Sequence, residues 1–157
     1  MWMHRSANSP VANNLALTAQ KQDQFVYQIQ WTEDMTVGLP RIDDQHKQLI
    51  SISNILIAAT AQGEGKEALV DVYERLKEYT QFHFKDEEAY MEELGYPDLE
   101  KHKAEHALLY MRVQTLRRMI DNDKTITPEG TSLFLSNWIC EHLIGSDTRI
   151  GIFAKQT

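Results

Sequence analysis

The sequence predicts an all-α protein, an up-down-up-down four-helix bundle with an N-terminal arm, and three observations carry that prediction. Apolar residues recur at three- and four-residue steps through four long segments, so each presents one stripe to a core. The connections between those segments are short, which makes successive helices antiparallel neighbours. His83 with Glu87, and His102 with His106, stand four residues apart, so each pair shares one helical face about one turn apart along the axis.

Taken in order, residues 1–24 are rich in Asn, Gln and Ser and read as a flexible extension outside the core, with His4 a solvated side chain within it. Residues 25–157 read as the bundle and its arm. Phe25 to Arg41 holds Trp31, Met35, Val37 and Leu39, while Gly38 and Pro40 break any regular helix, so this stretch reads as an ordered arm laid over the bundle. The first helix is expected to start near Asp43 and run to about Ala61, with Leu49, Ile50, Ile52, Ile55 and Leu56 as its stripe. The glycines in Gln62 to Gly65 end it.

The second helix spans about Lys66 to Leu94, its inward face carrying Leu69, Val72, Tyr73, Leu76, Tyr79, His83 and Tyr90, and Gly95 with Pro97 closes it. The third spans about Asp98 to Ile120, with Ala104, Leu108, Met111, Leu116 and Met119 as packing residues, followed by a polar loop, Asp121 to Thr127. Pro128 suits the first position of the last helix with Thr127 as its cap. That helix carries Leu133, Leu135, Trp138, Ile139, His142 and Leu143.

A length of 157 residues suits one compact domain. Sixteen Lys and Arg against twenty-three Asp and Glu give a net charge of −7 with no dense basic run, which argues against nucleic acid and anionic membrane as partners. Cys140 is the single cysteine, so no intramolecular disulfide forms and a reducing compartment is compatible. The first residues lack the apolar stretch of ~7–15 residues that a secretory signal requires. The longest apolar run, Ile55 to Ala59, falls far short of the ~20 residues that cross a bilayer. The expectation is a soluble, cytoplasmic protein.

Seven side chains stand out as candidate metal ligands: His46 on the first helix, His83 and Glu87 on the second, His102 and His106 on the third, and His142 with Asp147 on the fourth. Any one pair alone is a weak signal; the specificity lies in the coincidence of all four segments. Asp147 fits least well, because five residues amount to ~140° of rotation on an ideal helix. A polar residue at a helix end is its plainer reading, although Gly145 could loosen the helix locally. Imidazole with carboxylate suits iron, zinc, copper or nickel, and the lack of thiolates besides Cys140 argues against iron–sulfur and Cys-rich zinc sites.

Ile42-Asp43-Asp44-Gln45-His46, His83-Phe84 with Glu87-Glu88 and Met91, His102 with His106, and Trp138-Ile139 before His142 and Asp147 together resemble the hemerythrin signature, in its single-domain bacteriohemerythrin form. The resemblance covers roughly Trp31 to Ile150. Proteins of this family are themselves standard examples of the up-down-up-down bundle, so the resemblance names the topology as much as the short connections do. It implies two non-haem iron ions bridged by oxide or hydroxide, with His102, His106 and His142 holding one, His46 and His83 the other, and Glu87 and Asp147 bridging both. With six positions per iron, that donor set leaves one position open, on the iron with two histidines.

The implied activity is reversible dioxygen binding, each ferrous ion lending one electron, for oxygen storage or delivery to an oxygen-consuming enzyme. Leu49, Phe84, Trp138, Ile139 and Leu143 neighbour the ligands in sequence and are candidate lining of an apolar oxygen pocket, or equally plain core. Two alternatives stand beside a carrier. One is an oxygen or nitric oxide sensor, disfavoured because the N-terminal extension is too short and polar for an output domain. The other is a di-iron enzyme with peroxidase-like activity, disfavoured because the paired Glu-x-x-His motifs of oxygen-activating bundles are absent from the ligand positions.

Overall fold

The computed structural model describes residues 27–122 and 126–157, so the extension 1–24 with His4, Phe25 and part of the loop before Pro128 lie outside the described residues. Four long helical rods form an up-down-up-down bundle, and there is no strand among the described residues. Helix α1 is Pro40–Ala61, α2 is Lys66–Leu94 and α3 is Leu99–Asp121. The fourth rod is composite: α4, Pro128–His142, runs through a π-helical turn, Leu143–Asp147, into α5, Thr148–Ala154.

The ends of these helices follow from local chemistry. Pro40 opens α1 three residues before the expected start, because the first helical position needs no N–H and its fixed φ suits the helix; it acts as a start, not a breaker. Gly95 ends α2 in the left-handed region at φ 67°, where Tyr96 N donates to Met91 O at 2.9 Å and Gly95 N to Glu92 O at 3.1 Å. That bond pair satisfies two of the orphan carbonyls and brings Tyr96 against Met91. Thr127 caps α4, its hydroxyl accepting from Gly130 N at 3.0 Å, as the sequence predicts.

The expected packing face of α3 is wrong in its first half. Ala104, Leu108 and Met111 are exposed, the last two at 62% and 61%, whereas His102, His106, Leu109, Val113, Leu116 and Ile120 are buried. Residues two apart on a helix differ by ~200° in direction, so a face that holds His102 and His106 turns Ala104 and Leu108 outward. Leu133, two residues before buried Leu135, is exposed for the same reason, and Ile55 lies at the edge of the α1 stripe.

The core has two parts. A large cluster includes Leu49, Leu56, Ile57, Leu76, Val113, Leu116, Leu135 and Ile139, and a small one joins Met91, Tyr96 and Ile150. Along α1, α2 and the fourth rod, five of the seven candidate ligands fall where the large cluster ends, and on α2 and the fourth rod the small cluster begins just beyond them. Each Leu or Ile buried in this way contributes about 1.5–3 kcal/mol.

The arm, from Tyr27 to Leu39, is ordered against this frame. Asn54 pairs with the backbone of Ile29 in both directions, at 2.7 and 2.9 Å, and Trp31 is half-buried beneath the Lys47 ammonium. Met35 and Val37 are buried, and Asp43 accepts from Thr36 Oγ1, Val37 N and Gly38 N. Gly151 on α5 admits the arm: a Cβ there would stand 1.8 Å from the Val37 carbonyl oxygen. Among the described residues no helix is long and apolar enough to cross a membrane.

Candidate metal centre

All seven candidate ligands are buried, and their donor atoms meet in two overlapping groups. One joins Glu87, His102, His106, His142 and Asp147; the other joins His46, His83, Glu87 and Asp147. Four rods deliver them because His46 is one turn from Leu49, His83 and Glu87 follow the Tyr73–Leu76 stripe, and His102 and His106 continue through Leu109 and Val113. A side chain placed on a buried stripe must face the bundle axis whatever its polarity.

Asp147 reaches the centre through the π turn. The bond from Thr148 N to Leu143 O spans five residues, so the rod is widened locally and residues five apart approach a common face. This resolves the ~140° conflict that an ideal helix would impose between His142 and Asp147. Thr148 Oγ1 donates to Ile144 O and Arg149 Nε to Gly145 O, which gives two carbonyls of the turn side-chain donors. Gly145 itself is exposed, and a Cβ there would meet open space.

Each carboxylate presents one oxygen to each histidine group. Glu87 Oε1 lies 3.7 Å from His46 Nε2, while its Oε2 lies 3.2 Å from His102 Nε2 and 3.1 Å from His106 Nε2. Asp147 Oδ2 lies 3.1 Å from His46 Nε2, while its Oδ1 lies 3.2 Å from His102 Nε2 and 3.0 Å from His142 Nε2. Within the groups, His46 and His83 bring their Nε2 atoms to 3.1 Å, and so do His102 and His106.

A cation suits this arrangement and hydrogen bonding alone does not. Glu87 Oε1, both Asp147 oxygens and His142 Nε2 are buried without a hydrogen bond, although His142 Nε2 is close to Asp147. Buried polar atoms normally find partners, and acceptor atoms left without one and clustered at one point suit a bound cation. Two buried carboxylates facing five imidazoles form a hard-to-borderline N/O donor set of the kind that holds iron and related metals. The residues present therefore fit a pair of metal ions.

The electrostatics show how the chain manages these groups by itself. Burial opposes protonation of His46, yet Asp147 and Glu87 outweigh it and push its pKa up to about 9; His102 is raised to about 9 by the same balance. Burial pushes His83 down to about 4, with the Glu87 charge offsetting only part of it. Glu87 and Asp147 are held well below the usual carboxylate range, because contacts with the histidines overcome the cost of burial.

Sequence reasoning assigned no role to the groups behind the histidines. His83 Nδ1 faces Gln45 Oε1 at 2.9 Å, His106 Nδ1 faces Glu88 Oε1 at 2.7 Å, and His142 Nδ1 lies 3.5 Å from Glu105 Oε2. All three contacts cross between helices, so no intrahelical spacing announces them. The five candidate lining residues, Leu49, Phe84, Trp138, Ile139 and Leu143, are all buried, and the Phe84 ring stacks on His106 at 3.8 Å and 7°.

The sequence matches the hemerythrin HHE cation binding domain over residues 37–149. This chain belongs to the hemerythrin family. It is 31% identical over 121 residues to the bacteriohemerythrin of Clostridium acetobutylicum, covering 74% of this chain and 94% of that one. It is 35% identical over 117 residues to the bacteriohemerythrin of Pseudomonas paraeruginosa, covering 74% and 75% respectively. A crystal structure of wild-type hemerythrin superposes with a TM-score of 0.71 at 28% identity, over 80% of this chain and 97% of that one. Hemerythrins bind dioxygen at a non-haem di-iron centre, so at family level this is a di-iron oxygen-binding protein.

Proposed function

We propose that this hemerythrin binds dioxygen reversibly at a non-haem di-iron centre, as a cytoplasmic oxygen store or a carrier that supplies an oxygen-consuming enzyme, and that it is not itself an enzyme. The observation that carries the reading is the pair of carboxylates, Glu87 and Asp147, each with one oxygen toward each histidine group. In this reading His102, His106 and His142 hold one iron, His46 and His83 hold the other, and Glu87 and Asp147 bridge them. When bound, the iron pair supplies the two electrons that reversible dioxygen capture requires.

The chain's own part is to bind, orient and shield. His46 and His83 offer one imidazole fewer than the opposite group, and we assign the gas to their side. Gln45 fixes the His83 ring by accepting from its Nδ1, and Glu88 does so for His106, so each Nε2 lone pair is directed inward. Leu49, Phe84, Trp138, Ile139 and Leu143 wall the centre with apolar surface, which excludes water and stray reductants. With no ionisable group on those five side chains, the wall supplies no acid to protonate bound oxygen.

The test is the visible absorption of the iron-loaded protein, cycled between air and argon. A charge-transfer band that appears in air and disappears under argon over repeated cycles is expected. A spectrum indifferent to oxygen, or oxygen consumption that continues only with an added organic substrate, refutes the carrier reading.

A further inference from the structure

Every imidazole that turns one nitrogen toward the centre turns the other outward, and what meets the outer nitrogen differs between the two groups. On the three-histidine side, Glu88 Oε1 stands 2.7 Å from His106 Nδ1, and Glu105 Oε2 stands 3.5 Å from His142 Nδ1. The Ser146 hydroxyl donates to that same Glu105 oxygen and pins it. On the two-histidine side, His83 Nδ1 meets the neutral amide oxygen of Gln45 at 2.9 Å, and His46 Nδ1 is buried with no partner.

The Gln45 amide is not free to turn. Its Nε2 donates to Asp86 Oδ2 at 2.7 Å, and Arg41 holds the other Asp86 oxygen. A carboxylate placed behind Gln45 thus orients the amide but stays one residue removed from the imidazole. A carboxylate in direct contact raises the basicity of a ligating imidazole, and such outer partners account for ~10–100-fold in metal affinity. A neutral amide orients the ring without that gain, and a buried N–H with no acceptor is penalised once its ring is committed to a metal.

We propose that these outer partners make the two metal positions unequal, so that a divalent ion fills the His102–His106–His142 position before the His46–His83 position. Glu88 and Glu105 strengthen the first step, and Gln45, locked by Asp86 and Arg41, limits the second. Glu87 and Asp147 give an oxygen to both groups and do not discriminate between them. Glu88, Glu105 and Gln45 are positioning residues that act through the rings they touch. The inference rests on the two-metal reading above and adds an order of filling to it.

Charge repulsion between two bound cations would also separate the steps, and the third imidazole by itself favours the His102–His106–His142 position, so the location is read directly and the share of the outer partners is read from variants that leave every ligand in place. Zn2+ is titrated into the metal-free full chain, followed by calorimetry and by imidazole 1H–15N spectra. At one equivalent, the signals of His102, His106 and His142 are expected to move while those of His46 and His83 stay. Glu88→Gln is expected to weaken the first step ~10–100-fold and leave the second within about twofold.

The double variant Gln45→Glu with Asp86→Asn moves the carboxylate inward against His83, and is expected to tighten the second step about tenfold. Early perturbation of His46 and His83, simultaneous filling of both groups, or equal weakening of both steps by Glu88→Gln overturns the proposal while leaving the two-metal reading intact. If Glu88→Gln fails to fold, the Gln45→Glu with Asp86→Asn variant decides: an unchanged second step overturns the proposal. No zinc binding at all refutes the two-metal reading itself.

Discussion

Loading metal into this centre must expel protons, and the number follows from the buried histidines. His46 and His102 are raised to about 9 in the metal-free chain, so at pH 7 each is ~99% protonated, and each must lose that proton before its Nε2 can ligate. His83, pushed down to about 4, and the two carboxylates, held ionised, release none. Two divalent ions are therefore expected to displace about two protons from His46 and His102 at pH 7, falling toward zero from these two groups by pH 10–11. Apparent affinity for the two ions together then rises by ~2,500-fold between pH 7 and about 9, about 50-fold for each of these histidines.

The metal-free fold should respond in the opposite sense. A histidine raised in the folded state contributes stability that is fully present below ~6.5 and is lost as pH rises through about 9. His83 is depressed instead, and its contribution is lost as pH falls from ~6.5 toward about 4. Depressed Glu87 and Asp147 likewise contribute above ~4 and fade in acid. Stability of the metal-free chain should peak near pH 6 and decline toward pH 9, while the stabilisation added by metal grows. Zinc calorimetry in buffers of different ionisation enthalpy counts the protons, and thermal melts with and without zinc give the second curve. Release that does not change between pH 7 and 10 would refute the electrostatic reasoning.

Three further outcomes are expected. Gly151→Ala drives a Cβ to 1.8 Å from the Val37 carbonyl, a backbone clash that should lower stability by about 1–3 kcal/mol in chemical denaturation, and an unchanged midpoint would show that the arm yields freely. Asp43→Ala removes the acceptor for Thr36, Val37 and Gly38, so proteolysis should cut between residues 27 and 39 sooner, with little change in the melting of the bundle. Leu143→Ala should cost about 3 kcal/mol and, if this side chain shields the gas site, speed autoxidation of the oxygenated iron form; an equal autoxidation rate ends its shielding role.

The parts of this protein legible in its sequence are those governed by one helix at a time. The bounds of α2, the left-handed stop at Gly95 and the Thr127 cap follow from rules local to a few residues, and so does the shared face of His83 with Glu87. The α3 face is not legible from apolar spacing alone: Ala104, Leu108 and Met111 have a helical period of their own, but His102 and His106 fix the inward direction about 200° away.

Partners that cross between helices have no local signature. Glu88 behind His106 and Glu105 behind His142 depend on which rods are neighbours and at what height, a property of the assembled bundle. Asp147 is the most instructive case, because its five-residue offset from His142 contradicts an α-helix and is satisfied by a π turn. A π turn sacrifices regular hydrogen bonding, so its presence beside the centre implies that the site imposes it. A carboxylate required between two histidine groups fixes the backbone, and the break in periodicity near Gly145 is the trace of that demand in the sequence.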